Sequence, residues 1–176
     1  MIDFSRNHFE LFGLPARFAV DADALERRYR ALQSEVHPDR YAAADETDRR
    51  LAAQSSARVN EAYQALKSPV GRAQYLLSLH GVDAMSASGA ALSHEFLERA
   101  LERREAAEHA MQVGDVAALE ALLAEVRSDR AGTEAALATL LDRDAAWDSA
   151  SAQVRELAFL GKLAADVDAM LGELEG

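Results

Sequence analysis

Apolar residues recur at intervals of three and four along almost the whole 176-residue sequence, and no segment alternates apolar and polar residues convincingly. That spacing places apolar side chains on one face of a helix, whereas a half-buried strand needs alternation. Because 49% of the residues are hydrophobic, the chain is long and apolar enough to bury one or two cores. The pattern therefore predicts an all-α protein.

The first 80 residues predict four helices. A short helix over HFELF is followed by a longer one whose apolar face includes Leu25 and Tyr29, and by a third of similar length at about residues 46–67. Two such helices joined by a short turn pack as a long antiparallel hairpin, and a fourth helix follows. Caps, prolines and glycines mark these boundaries, namely Gly13, Pro15, Asp21, Pro38, Ser68, Pro69 and Gly81.

Residues 81–91 are small and polar enough to be a linker, and three amphipathic helices are predicted beyond them. Ser93 is a candidate N-cap, Gly114 and Asp115 form the next turn, and the last helix starts at about Asp144. Short turns between amphipathic helices predict a three-helix bundle over residues 92–176. Trp147 falls on the core stripe of the last helix and is predicted to be structural.

The net charge of −11 is unevenly distributed along the chain. Residues 1–80 carry 11 basic and 11 acidic side chains, whereas residues 81–176 carry 8 basic and 19 acidic ones. This asymmetry indicates two functional halves. An acidic second half argues against nucleic acid, whose phosphates need a positive surface, and favours a basic partner.

No cofactor or metal is predicted. The sequence lacks cysteine, so disulfides, thiolate metal ligands and clusters held by cysteine are excluded. The five histidines show no metal-ligand spacing, and the four other than His37 are predicted to be surface or helix-end residues. A secretory signal and a membrane-spanning stretch are not recognisable, so the expected location is the cytoplasm, without membrane contact.

The segment SEVHPDRY places His37, Pro38 and Asp39 at the end of a strongly helical segment. An imidazole beside a carboxylate suggests acid–base chemistry, and a hydrolase using His37 and Asp39 is one hypothesis. However, two residues beside a helix end do not make a catalytic dyad, and no nucleophile with a positioned base is evident. The simplest alternative is a helix stop, with the proline ending the helix and the aspartate bonding in the turn.

The surroundings of this tripeptide resemble the J domain, the module by which co-chaperones act on DnaK-type chaperones. The resemblance covers about residues 1–80 and is carried by FELFGLP, LERRYRAL, HPD, NEAYQAL, Pro69 and RAQY. YLLSLHG at residues 75–81 and VRELAFLGKL at residues 154–163 extend the resemblance to nearly the whole chain and narrow it to the HscB family. Because the chain begins directly at the J domain, it resembles the bacterial form.

The resemblance implies a co-chaperone of iron–sulfur cluster assembly that is not itself an enzyme. Its J domain would stimulate ATP hydrolysis by an HscA-type chaperone, and its bundle would deliver the scaffold protein IscU. Asp39 would pair with a chaperone arginine, Pro38 would hold the turn, and His37 would supply a hydrogen bond and packing. Docking against an acidic chaperone surface would involve Arg27, Arg28, Arg30 and Arg40, although Glu26 and Glu35 interrupt the basic face.

In the second half, Leu97 and Leu101 form a stripe about 100° from the predicted core face, and Phe159 is out of phase with its own helix. Acidic residues flank them, and the resemblance assigns scaffold contact to Leu97, Leu101, Glu102, Glu105 and Phe159. Glu98 departs from the family pattern, which has a hydrophobic residue there. The alternatives are a J-domain co-chaperone for a different client, or a purely structural role in which Leu97 packs on Leu92 and Phe159 packs between helices.

Overall fold

The computed structural model describes residues 2–86 and 91–175, and every regular element in those ranges is helical. This confirms the predicted all-α class, with four helices in the first part and three in the second. The helices are α1 (His8–Leu11), α2 (Ala22–Val36), α3 (Glu46–Lys67), α4 (Pro69–Leu79), α5 (His94–Val113), α6 (Val116–Asp142) and α7 (Trp147–Glu175), and a single 3-10 turn (Pro38–Tyr41) joins α2 to α3.

The chain forms two compact units, Met1–Leu79 and His80–Gly176. The domain bounds predicted from sequence, 1–80 and 92–176, stay predictions. Of the predicted linker at 81–91, residues 87–90 lie outside the described part of the chain.

In the first unit, α2 and α3 form the predicted antiparallel hairpin, and polar side chains join the two helices. Tyr29 stacks on Tyr63 with the ring centroids 4.0 Å apart. The Asn60 side-chain oxygen accepts hydrogen bonds from the Tyr29 hydroxyl (2.9 Å) and from the Gln33 amide (2.7 Å). Nearer the open end, the Tyr63 hydroxyl donates to Glu26, which holds the pKa of that carboxyl below its usual range. Tyr29 therefore has a structural role.

Helix α1 is attached to the rest of the first unit by aromatic packing on Tyr75 and by two hydrogen bonds that involve backbone groups. Phe9 and Phe12 are buried, as their place in an apolar helix facing the hairpin predicts. The His8 backbone N–H donates to the Tyr75 hydroxyl (3.0 Å), and Arg28 Nη1 donates to the Phe12 carbonyl (2.8 Å). These bonds connect the two ends of α1 to α4 and α2.

The second unit is a bundle in which α5 begins at the predicted cap and ends at the predicted turn. The Ser93 side chain accepts from the Phe96 N–H, Gly114 adopts the left-handed conformation (φ +70°), and Asp115 caps α6. Burying a large apolar side chain contributes about 1.5–3 kcal/mol, so the bundle core dominates the stability of this unit. Its largest fully buried side chains are Leu119, Val126, Leu137, Val154, Leu157 and Val167.

Helix α7 begins at Trp147, three residues later than predicted, because Ala145 takes a positive φ of 50° in the preceding turn. Trp147 is half-buried and stacks on His80 with the ring centroids 3.8 Å apart. Arg155 Nε donates to the Ala84 carbonyl (2.7 Å), and a second Arg155 nitrogen donates to the Ser86 carbonyl. The segment before residue 87 is thereby held on α7.

Candidate functional site

His37, Pro38 and Asp39 (the HPD turn) occupy the connection between α2 and α3. His37 ends α2 with an extended backbone (φ −60°, ψ 128°), because the following proline disfavours the helical region for it. Its Nδ1 accepts a 3.3 Å hydrogen bond from the Asp39 N–H, and the two side chains lie 3.6 Å apart. The Asp39 side chain is nevertheless 90% exposed, so its carboxylate is free to meet a group on another molecule.

The turn is fastened to α2 by the two residues that follow the aspartate. Arg40 Nη1 donates to the Ser34 carbonyl (3.2 Å), and the Tyr41 hydroxyl donates to the Glu35 carbonyl (3.4 Å). Both acceptors belong to the last turn of α2, where carbonyls lack partners within the helix. A guanidinium there also interacts favourably with the negative end of the helix dipole. Arg40 therefore supports the shape of the HPD turn.

The arginines of α2 divide into two groups. Arg28 is exposed as a residue, but its Nη1 donates to the Phe12 carbonyl, so part of its guanidinium is engaged within the first unit. Arg27 is exposed, and Arg30 is exposed while paired with Glu26 at 2.8 Å. Positions 27, 30 and 34 lie on one face of α2. Arg40 contacts the last of these positions through its hydrogen bond to the Ser34 carbonyl. The exposed basic surface thus leads to the HPD turn.

Leu97, Leu101, Glu102, Glu105 and Phe159 (the leucine patch) lie on α5 and α7. Leu97 is 46% exposed and Leu101 is 58% exposed. The described residues include six exposed large apolar side chains, and these two alone are one helical turn apart. Glu102 and Glu105 are exposed on the same helix. The pair is therefore an apolar surface beside acidic residues, a composition suited to partner binding.

Phe159 is partly buried, and its ring meets the buried Phe96 ring edge-on, with the centroids 5.6 Å apart. It also lines a cavity of about 60 Å³ with Arg104, Lys162, Leu163 and Asp166. Phe159 consequently packs between helices and also borders a recess between α5 and α7. The structural and functional hypotheses for this residue are compatible.

Glu98, the position that departs from the family pattern, carries an exposed carboxylate that lies 3.1 Å from the exposed His94 imidazole. Leu92 is partly buried against the bundle core, whereas Leu97 stays largely exposed. Packing on Leu92 therefore does not account for the exposed surface of Leu97.

Within the described ranges, His, Asp and Glu side chains form no group of three or more that could hold a metal ion. His8 is one of the four histidines predicted at the surface or at helix ends. It is the first residue of α1, but its side chain is buried. Among the helices that the structure describes, none is long and apolar enough to cross a bilayer.

Sequence reasoning missed the hydrogen bonds of Tyr41 and Arg28 and the place of Lys162 in the recess beside Phe159. The first two act through hydrogen bonds to backbone carbonyls, for which side-chain identity gives little signal. Lys162 did carry a signal, because it is the only lysine in residues 80–176 and follows Phe159 by three positions.

Comparison with known proteins agrees with the division into two parts. The DnaJ domain model matches residues 7–75, and the model of the HSCB C-terminal oligomerisation domain matches residues 92–168. The Co-chaperone protein HscB homolog of Burkholderia multivorans is 46% identical over 176 residues, covering 99% of each chain. The homolog of Burkholderia cenocepacia is 45% identical with the same coverage.

Solved structures show the same fold. The chaperone HscB from Vibrio cholerae superposes with a TM-score of 0.87 at 39% identity, covering 96% of this chain and 99% of that one. The human co-chaperone protein HscB has a TM-score of 0.84 at 23% identity, covering 96% and 83%, and supports the fold alone. With two family models and full-length relatives in agreement, the chain belongs to the HscB family, the J-domain co-chaperones of iron–sulfur cluster assembly.

Proposed function

We propose that this protein binds an IscU-type iron–sulfur scaffold through the leucine patch and delivers it to an HscA-type chaperone in the cytoplasm. The HPD turn stimulates that chaperone's ATP hydrolysis. The observation that carries the proposal is the Asp39 carboxylate, 90% exposed on a turn fastened to the end of an arginine-bearing helix. The catalytic groups and the nucleotide belong to the chaperone, so this chain is a regulator of ATP hydrolysis.

The docking surface comprises the HPD turn with the exposed side chains of Arg27 and Arg30. Their charges increase the rate of encounter with an acidic chaperone surface, and Asp39 pairs with a chaperone arginine once the two proteins meet. Arg28 and Arg40 contribute by holding α1 and the turn in place. Pro38 contributes rigidity, because its ring fixes φ where the chain leaves α2.

A J-domain co-chaperone for a different client is the alternative, and Glu98 favours it. A carboxylate one residue from Leu97 makes the leucine patch less apolar than the family pattern predicts. A client with a basic residue at that point would bind preferentially. The HPD turn would act in the same way under either hypothesis.

The test is single-turnover ATP hydrolysis by an HscA-type chaperone in the presence of the His37→Gln variant. We expect the wild type to stimulate hydrolysis and the variant to lose at least about 90% of that stimulation, because the turn loses the imidazole that receives the Asp39 N–H. Helical content by circular dichroism should stay unchanged, since His37 is exposed beyond the end of α2. Equal stimulation by the two proteins would show that the HPD turn does not act as proposed.

A further inference from the structure

Lys162 differs from most other cations of the second unit in having no ionic partner among the described residues. Six of the seven arginines there contact an acidic side chain or a backbone carbonyl, namely Arg99, Arg103, Arg104, Arg127, Arg130 and Arg155. Lys162 forms no ion pair with a carboxylate in the part of the chain that the structure describes, although this unit is strongly acidic. Its ammonium group is therefore available to an external acceptor.

The position of Lys162 connects it to the leucine patch. It lies one helical turn after Phe159, and both residues line the recess of about 60 Å³ between α5 and α7. Arg104 lines the same recess and is three residues from Leu101, so the two are neighbours on α5. The recess is large enough for a carboxylate, and it shares Phe159 with the leucine patch.

We propose that Lys162 binds an acidic side chain of the client that occupies the leucine patch. This inference rests on the proposed function and adds the charge pattern that the client must carry. Glu108 lies 3.2 Å from Arg104 and is committed to it, whereas Asp166 lines the recess and weakens its attraction for an anion. Lys162 is consequently the main attractive group, with Arg104 in support.

This arrangement makes the surface of the patch electrostatically two-sided. Glu102 and Glu105 are exposed on α5, while Lys162 provides positive charge at the α7 recess. A client with a basic group facing the acids and an acidic group facing the lysine fits in one orientation, and the reversed orientation brings like charges together. Charge therefore fixes the orientation of the client, while burial of the exposed leucines supplies apolar contact that does not depend on orientation.

The first experiment is carbodiimide cross-linking of the full chain to an IscU-type scaffold, followed by mass spectrometry. The reagent activates a scaffold carboxylate, the lysine amine attacks it, and the reagent leaves as a urea, so that an amide links the two proteins. The cross-link is unambiguous because the chain has two lysines, Lys67 in the first unit and Lys162 in the second. We expect an amide between Lys162 and a scaffold aspartate or glutamate.

The second experiment is a binding titration with the same scaffold. Lys162→Gln should weaken binding about two- to fivefold, the range for an exposed ion pair, and Lys162→Glu should weaken it further. Lys162→Gln should also make binding less sensitive to salt, and Lys162→Arg should preserve affinity. Arg143→Gln is the matched control, because Arg143 is an exposed cation at the end of α6 and does not line the recess.

The outcomes separate this inference from the proposed function. Unchanged affinity in Lys162→Glu, an equal loss in Arg143→Gln, or a Lys162 cross-link to a second copy of this chain would overturn the role of Lys162. The leucine patch is tested separately with a variant that carries both Leu97→Ala and Leu101→Ala. If the leucine patch is the client site, this variant should lose scaffold binding whatever the result for Lys162. If the wild type does not bind the scaffold, the proposed function and this inference are both wrong.

Discussion

At the scale of single residues, several side chains with functional chemistry are engaged in holding the backbone. Arg28 and Arg40 resemble Arg27 in sequence, yet each of the two donates to a backbone carbonyl, at the end of α1 and of α2 respectively. Charged donors to a carbonyl are stronger than neutral ones, and losing them leaves the acceptor unpaired. The basic face predicted from sequence is therefore partly a structural feature, because two of its four exposed arginines also hold backbone carbonyls.

His8 shows the same principle for a titratable group. Its ring is stacked on Tyr75 with the centroids 3.9 Å apart, and its buried Nδ1 has no hydrogen-bond partner among the described residues. Burial, together with the charge of Arg58, lowers the pKa of the imidazole below its usual 6.5, although the Glu61 carboxylate opposes the shift. The folded first unit therefore favours the neutral imidazole.

We predict that the first unit loses stability as the pH falls from about 6.5 through the lowered pKa of His8. In that range the unfolded chain binds a proton that the folded chain excludes, so the free energy of unfolding decreases with decreasing pH. Urea unfolding at pH 7.5 and 5.0 measures this, with the tyrosine absorbance as the signal, because all four tyrosines lie in the first unit.

The control is His8→Phe, which keeps a ring against Tyr75 and removes the titration. This variant should lose less stability between the two pH values than the wild type. An identical loss in both proteins would assign the pH dependence to other groups.

At the scale of helices, the sequence was most informative where a boundary depends on local chemistry. Asp21 and Ser93 cap their helices as predicted, because a cap bonds within three residues of itself. Asp115, predicted as part of the turn after α5, also caps α6. The start of α7 was predicted three residues early, since nothing local indicates that Ala145 adopts a positive φ. The bonds from Arg28 and Tyr29 cross between helices, so their partners could not be identified from the sequence alone.

Two glycines of the second unit allow a matched test of how strongly the local backbone conformation determines which residue is tolerated. A Cβ added at Gly114 or at Gly132 would meet no atom within 4 Å, so packing does not complicate either substitution. Gly114 ends α5 with φ +70°, whereas Gly132 lies inside α6. Only the backbone requirement differs between the two positions.

We predict opposite effects of alanine at these positions. Gly132→Ala should raise the free energy of unfolding of the second unit by about 0.5–1 kcal/mol, because alanine is the better helix former. Gly114→Ala should lower it by about 1–2 kcal/mol, because a left-handed backbone is strained for alanine. Denaturation monitored by Trp147, the single tryptophan, reports on this unit. Changes of the same sign would refute the argument.

At the scale of the whole molecule, the two candidate sites lie in different units of one chain. The HPD turn belongs to the first unit and the leucine patch to the second. The charge of the chain is divided in the same way between the two units, since all of the excess acid lies beyond residue 80. The two-part fold was predictable from periodicity, whereas the partners of the two sites came from the family resemblance, because chemistry within the chain does not identify them.

We predict that delivery of the scaffold requires both sites in the same chain. One chain that binds the scaffold and the chaperone together raises their effective concentration, which two separate chains cannot do. The test mixes His37→Gln, which retains the leucine patch, with a Leu97→Ala and Leu101→Ala variant, which retains the HPD turn. The mixture should restore less than about a tenth of the wild-type rate of scaffold capture by the chaperone at submicromolar concentrations. Capture at the wild-type rate would mean that the two sites act independently, and the joining of the units would then have no part in delivery.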